Sequence, residues 1–593
     1  MPDTHAISDL PTWDLTDLYP ATDSAELKSD REETLTRAQS FEGRYQSKVA
    51  GLDGDGLAAA IAEYEAIDEI LSRIMSYAQL LHAGDVSDPK IGQFYQTMRE
   101  HATAVSGHLL FFTLELNRIE EADLQAKLDA SEALARYRPW IDTERSFREH
   151  QLSDEIEKLL LDKSVSGASA WVRLFDETAA SLRFPFRGDE LTQTEILHRM
   201  QDRDGAVRKE ASQSLGTVLG ENISTFALIT NTLAKDKEVE DRWRGFARPI
   251  SSRNLANQVE DEVVDALIQA VREMYPRLSH RYYRIKAKWM GKDRLPYWDR
   301  LAPPPADDDR TFDWGDAKSI VMDAYSAFSP DLASVGKKFF ENDWIDVPAR
   351  PGKAGGAFAH PTVPSAHPYL LLNFQGKARD IMTLAHELGH GVHQVLAGRQ
   401  GHFMANTPLT LAETASVFGE MLTFKSMLAA TKDPETRRAV LASKIEDMIN
   451  TVVRQISFCE FERLVHDARR EGELTPDQIG DLWMQVTRDS LGDVFDFEDE
   501  YRNYWAYIPH FIHSAFYVYA YAFGDCLVNA LYAKYEAEPD GFQEKYLEML
   551  AAGGTLKHGE LLAPFDLNAG DPDFWKLGLG VVEGFIDELE ATF

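Results

Sequence analysis

The chain is 593 residues long with 44% hydrophobic and 27% charged residues, the profile of a globular protein large enough to bury more than one core. A net charge of −35 sets it against polyanions, so neither nucleic acid nor an anionic membrane surface is an expected partner. Its two cysteines, Cys459 and Cys526, are too few for a disulfide framework or a thiolate-rich metal site.

In chain order, residues 1–20 are acidic and lack the apolar stretch of a secretory signal. No later run is long enough to span a bilayer, and the expected compartment is the cytoplasm. Apolar residues recur at helical spacing over Leu57–Leu81, without an internal Gly or Pro, and again over Ile91–Leu116 and Glu121–Tyr137. Neither sustained heptads nor an internal repeat is present, which argues against a coiled coil or a solenoid. The segment Ser181–Gly188 breaks the pattern and predicts a boundary near residue 190. Helical spacing returns over Glu260–Tyr275. The basic, aromatic stretch Arg277–Lys292 reads, in so acidic a chain, as a helix with a charged face. Leu295–Asp313 contains Pro303, Pro304 and Pro305 and is expected to be a loop. Trp344–Arg350 and Tyr369–Phe374 are short strands by composition, joined by a turn-rich stretch that carries His360 and His367. Lone loop histidines of that kind are expected to be structural rather than ligands.

Chemistry concentrates in Asp380–Gly398, whose apolar positions predict one helix ending at the glycine. It contains His386-Glu387-Leu388-Gly389-His390. Residues four apart share a helix face, so both imidazoles can hold one zinc ion, while Glu387 can work on water without coordinating. A third ligand is then required. Thr407–Glu420 predicts a second helix, with Thr407 as its cap and Pro408 in its first turn. Glu413 and Glu420, seven apart, share a face; Glu413 is expected to be the third ligand and Glu420 to orient a ligand histidine. His393 and His402 are expected to hydrogen-bond or pack, since a fourth protein ligand would close the site. Further on, Tyr504–Phe523 is dense in aromatic residues, and Tyr517 and Tyr521 are four apart.

HELGHGVHQ and the following ETASVFGE resemble the zinc site of the oligoendopeptidase F branch of the thimet oligopeptidase family. Trp13–Tyr19 (WDLTDLY) is similar to that branch's N-terminal signature, and Pro368–Phe374 to the strand before its metal helix. Ile508-Pro509-His510 with Phe516–Tyr521 resembles its His/Tyr segment, so the likeness runs over most of the chain. It implies a mainly α fold: a multi-helix, two-lobed body around a deep cleft, with a small β-sheet beside the HExxH helix. The division expected is an N-terminal helical lobe over 1–190 and a catalytic domain over 191–593. The resemblance also implies zinc as the metal, and His510 with a tyrosine as donors to the oxyanion of peptide hydrolysis. Tyr521 is the first choice for that tyrosine, with Tyr517 and Tyr519 open and His513 a rival to His510. A substrate peptide is expected to pair along the strand near Tyr369–Phe374. The expected activity is internal cleavage of short, unstructured peptides, without an organic cofactor. Two rivals are a zinc carboxypeptidase of related fold and a non-catalytic helical peptide-binding protein that keeps the metal for structure.

Overall fold

The computed structural model describes residues 10–164, 166–304 and 310–593. The expectations for residues 1–9, and for Pro305 and the acidic run that follows it, lie outside the described residues. The fold is mainly α, with three small sheets among the described residues. The chain forms two compact units, each gathered from three stretches. The first comprises Met1–Arg148, Asp309–Ala430 and Glu538–Asp566; the second comprises Glu149–Asp308, Thr431–Ala537 and Leu567–Phe593. The expected boundary near 190 falls inside the second unit's Glu149–Asp308 stretch, so compactness does not follow chain order.

In the first unit, the two long helices that the spacing predicts run over Gly54–Gly84 and Pro89–Arg118. Asp53 caps one by accepting the Gly56 N–H, and Asp88 caps the other with Pro89 in its first turn. Their buried faces, Ile61 and Leu71 on one and Val105 and Phe112 on the other, meet Phe41 in one core. Glu121–Tyr137, expected as one helix, breaks at Ser131, whose backbone is extended. The Ser131 hydroxyl donates to Asp55 at 2.6 Å and accepts the Leu134 N–H at 3.2 Å, starting a separate turn, Glu132–Ala135.

The same unit holds a three-stranded sheet. Ile345–Pro348 pairs in parallel with Tyr369–Phe374, which pairs antiparallel with Phe358–His360. The turn-rich connection therefore contains a strand of its own. Tyr369–Phe374 is the central strand: Ile345–Pro348 takes one edge and Phe358–His360 takes the other over Tyr369–Leu371, which overturns the expectation that a peptide pairs along that part of it. The two outer strands are Ile345–Pro348 and Phe358–His360. The Trp13–Tyr19 segment packs against this sheet: Trp13 meets Tyr369 edge-on at 6.1 Å, and the Tyr369 hydroxyl donates to Asp14 O at 2.7 Å.

In the second unit, the Ser181–Gly188 break is a hairpin of Phe184–Phe186 with Asp189–Leu191. It turns at Arg187 and Gly188, with φ of 52° and 95°, the pair of left-handed residues that a tight hairpin needs. Asp261–Met274 and Ser279–Trp289 are helices as predicted. Arg277, Arg281 and Arg284 pair with Glu583, Asp587 and Asp493, which gives the basic stretch the charged face expected of it. No helix among the described residues is long and apolar enough to cross a membrane.

Candidate metal centre

The HExxH helix runs over Ala378–Ala397. At its start, Asp380 accepts the N–H groups of Gln375 and Lys377 at 2.8 and 2.9 Å. Ile381, Leu384, Ala385, Leu388 and Val392 are fully buried, so the core fixes the helix's rotation and with it the direction of both histidines. The rings of His386 and His390 stand 4.9 Å apart at 82°.

The stretch expected as one helix capped by Thr407 is two, Leu409–Ala412 and Thr414–Ala430, with Pro408 in the cap position. Glu413 sits at the junction. Its Oε2 lies 3.4 Å from Nε2 of His386 and 3.4 Å from Nε2 of His390. The Ser416 hydroxyl donates to the same oxygen at 2.7 Å. Two turns on, Glu420 Oε2 is 3.4 Å from the other ring nitrogen of His386, Nδ1. This approach depends on Gly389, where a Cβ would lie 2.4 Å from Ala415 O. A side chain there would push away the backbone that carries Glu413.

One ligand atom each from His386, His390 and Glu413 lies within 4.8 Å of the others, the only such group found among the described residues. Two imidazole nitrogens and one carboxylate oxygen at that spacing fit a divalent ion such as zinc with a coordination position left over. Charge is arranged to match. Burial would raise the Glu413 carboxyl, but His390, His386 and the Ser416 hydroxyl bring it down to about 2. Burial also works against charge on His386, yet Glu420, Glu413 and Glu387 hold it above the ordinary imidazole value. Glu387 is raised, chiefly by burial, against the pull of His386 and His390, and it accepts a hydrogen bond from the Ala359 N–H.

Ala359 belongs to the outer strand Phe358–His360, and nothing in the sequence marked it. Tyr325 is equally unmarked; its hydroxyl donates to Ala385 O at 2.7 Å, tying a distant helix to the turn before His386. The one available signal is that a buried tyrosine needs a polar partner. Four further histidines of this unit, those weighed from the sequence, have partners elsewhere. His402 meets Asp68 at 2.7 Å, and His367 meets Asp17 at 3.0 Å while stacking on Trp344. His360 accepts the Thr362 N–H at 3.0 Å, and buried His393 is 3.4 Å from the Thr407 hydroxyl.

In the second unit, His510 opens a single turn, His510–His513, and Tyr521 lies in the helix Tyr519–Ala537. The Tyr521 hydroxyl is 3.4 Å from His510 Nε2. Tyr517 precedes that helix, yet its ring is 5.4 Å from Tyr521 and 6.3 Å from His510. Tyr519 points the other way: it is fully buried, and its hydroxyl accepts from Asn257 at 2.9 Å. His513 meets Asp176 at 2.7 Å.

A helical fold with an HExxH helix and a glutamate brought to both histidines defines a metallopeptidase. The family model for peptidase family M3 matches residues 198–580, and that for oligopeptidase F matches 115–184. The chain belongs to peptidase family M3 and is a metalloendopeptidase, a hydrolase of peptide bonds. It is 26% identical to oligopeptidase PepF of Bacillus subtilis (strain 168), over 100% of this chain and 88% of that one. It is 27% identical to the group B oligopeptidase PepB of Streptococcus agalactiae, over 98% and 96%. The crystal structure of oligoendopeptidase-F from Enterococcus faecium shares its fold, with a TM-score of 0.71 at 21% identity over 96% of this chain and 99% of that one.

Proposed function

We propose that this peptidase cuts internal bonds of short, unstructured peptides, with zinc held by His386, His390 and Glu413. The observation that carries the reading is the meeting of these three donors beside a buried glutamate that is not one of them. Bound there, zinc supplies Lewis acidity to the attacking water and the scissile carbonyl. Glu387, buried beside the three donors and not one of them, is placed to take a proton from water and return it to the leaving amine. The Ala359 N–H fixes the carboxylate's aim. Glu420 holds His386 through Nδ1, leaving Nε2 for the metal. To His510 and Tyr521, with Tyr517 beside them, we assign stabilisation of the oxyanion; the resemblance and their mutual contact support this. A cytoplasmic setting accords with Cys459 and Cys526, both buried and unpaired.

The test is a peptide digest read by mass spectrometry, repeated after chelation and after zinc is restored. Internal cuts that vanish with the chelator and return with zinc are the expected result. Stepwise loss from the C-terminal end would select the carboxypeptidase, and binding without cleavage would select a non-catalytic peptide-binding protein.

A further inference from the structure

Between His510 and Tyr521 the chain makes a turn that ordinary backbone does not favour. Phe516 has φ of 58° although it carries a large side chain, and it is fully buried. A left-handed non-glycine residue is strained and persists only where its surroundings impose it. Here three consecutive residues are held from outside. Arg253 donates from Nη2 to the Ser514 hydroxyl at 2.7 Å and from Nε to Ala515 O at 3.2 Å. The Phe516 N–H donates to Glu462 Oε1 at 2.8 Å. The Phe516 ring lies 4.9 Å from that of His466, one turn beyond Glu462 on the helix Gln455–Glu471.

We propose that Glu462 and Arg253 are positioning residues for His510, Tyr517 and Tyr521, fixing the turn Ser514–Phe516 that sets these rings against one another. The inference rests on the oxyanion role given above to His510 and Tyr521. Glu462 is a poor choice for a merely structural side chain. It is 3% exposed, and its second oxygen, Oε2, has no hydrogen-bond partner. A buried carboxyl left half satisfied is a cost that an apolar residue at this helix position would avoid. What an apolar residue cannot supply is an acceptor for the Phe516 N–H. Burial raises the Glu462 carboxyl to about 8, so near neutrality it accepts as a neutral acid. Its link to the reacting groups runs along the chain: the Ser514 N–H donates to His510 O at 3.1 Å, and the Tyr517 N–H donates to Ser514 O at 3.2 Å. A shift at Ser514–Phe516 therefore reaches both ends of the segment.

The experiment measures kcat and KM on one fluorogenic peptide for zinc-loaded Glu462→Leu, Glu462→Gln and Arg253→Met, beside His510→Ala and Tyr521→Phe. Gln keeps an uncharged acceptor, whereas Leu keeps only the volume. Misplacing a catalytic group by about 1 Å costs on the order of 10²-fold in rate, and that loss in kcat is expected of Glu462→Leu. KM should stay within about threefold, and Glu462→Gln should restore kcat. Should Glu462→Leu fail to fold, Arg253→Met carries the test and should show the same split between kcat and KM. The inference is overturned if these two variants keep full kcat while His510→Ala and Tyr521→Phe lose it. It is also overturned if Glu462→Gln falls as far as Glu462→Leu. If instead His510→Ala and Tyr521→Phe keep full activity, the oxyanion reading beneath it is what fails.

Discussion

Exchanging Glu387 for glutamine keeps the shape of the side chain and removes its ability to take a proton. Glu387→Gln should abolish peptide hydrolysis while leaving zinc near one per chain; metal loss in this variant would mean that Glu387 is a ligand. The two other carboxylates separate in the opposite sense. Glu413→Ala removes an oxygen 3.4 Å from both imidazoles and should weaken zinc binding sharply, read by competition with a chelator. Glu420→Ala frees one ring nitrogen of His386, and a lost partner of that kind typically costs roughly 10–100-fold in metal affinity. Glu462 gives a pH signature. Folded, it keeps its proton up to about 8, because burial outweighs the pull of the Phe516 N–H, Arg253 and Lys237; unfolded, it returns to the ordinary carboxylate value of 4.5. Between those values the folded chain carries the extra proton, so this group's stabilising contribution is full below the lower value. It is lost as pH rises through the upper one. The melting temperature of Glu462→Gln, relative to the parent, should therefore be higher at about pH 9 than at about pH 5. A difference that does not change with pH would mean that Glu462 is already ionised in the folded state.

At the scale of elements, the site depends on how closely Thr414–Ala430 can approach the HExxH helix. Gly389→Ala places a methyl group 2.4 Å from Ala415 O, a contact that backbone must move to relieve. Overpacking of this kind costs about 1–3 kcal/mol, so a lower melting temperature and weaker zinc retention should appear together. This dependence was half legible in the sequence. Long periodic helices and the spacing of His386, Glu387 and His390 could be read directly, because a helix repeats its rule over many residues. Glu413 and Glu420 could be read as carboxylates in an apolar stretch. The break between Leu409–Ala412 and Thr414–Ala430 could not, since no glycine or internal proline announces it. Phe358–His360 is three residues long, too short for any alternation to register, yet it delivers the N–H that holds Glu387. Glu462, within Phe458-Cys459-Glu460-Phe461-Glu462, reads as a solvent-facing acid; only the turn packed against it from elsewhere in the chain accounts for its burial.

At the scale of the whole molecule, the prediction concerns substrate length. The relatives are named oligopeptidases, and each further residue confined in a site adds to the entropy that binding must overcome. A ladder of peptides sharing one cleavable bond should lose rate steeply as it lengthens, and a folded protein should survive where its denatured form supplies cleavable fragments. Efficient digestion of the folded protein would end the oligopeptidase reading. The division into two units, each drawn from three stretches, bears on how the enzyme is made. The chain passes from one unit to the other after residues 148, 308, 430, 537 and 566. A ribosome therefore cannot release one finished half and then begin the next. When Glu413 has been synthesised, all three candidate ligands exist, but the Glu538–Asp566 stretch does not, and with it is missing Tyr546, whose hydroxyl holds Thr414 O at 2.9 Å. Pairings this far apart in the chain form slowly and leave apolar faces uncovered meanwhile. A nascent fragment stopped at residue 430 should carry the entire zinc motif and still bind zinc poorly, leaving the growing chain without an active peptidase until nearly all of it has been made.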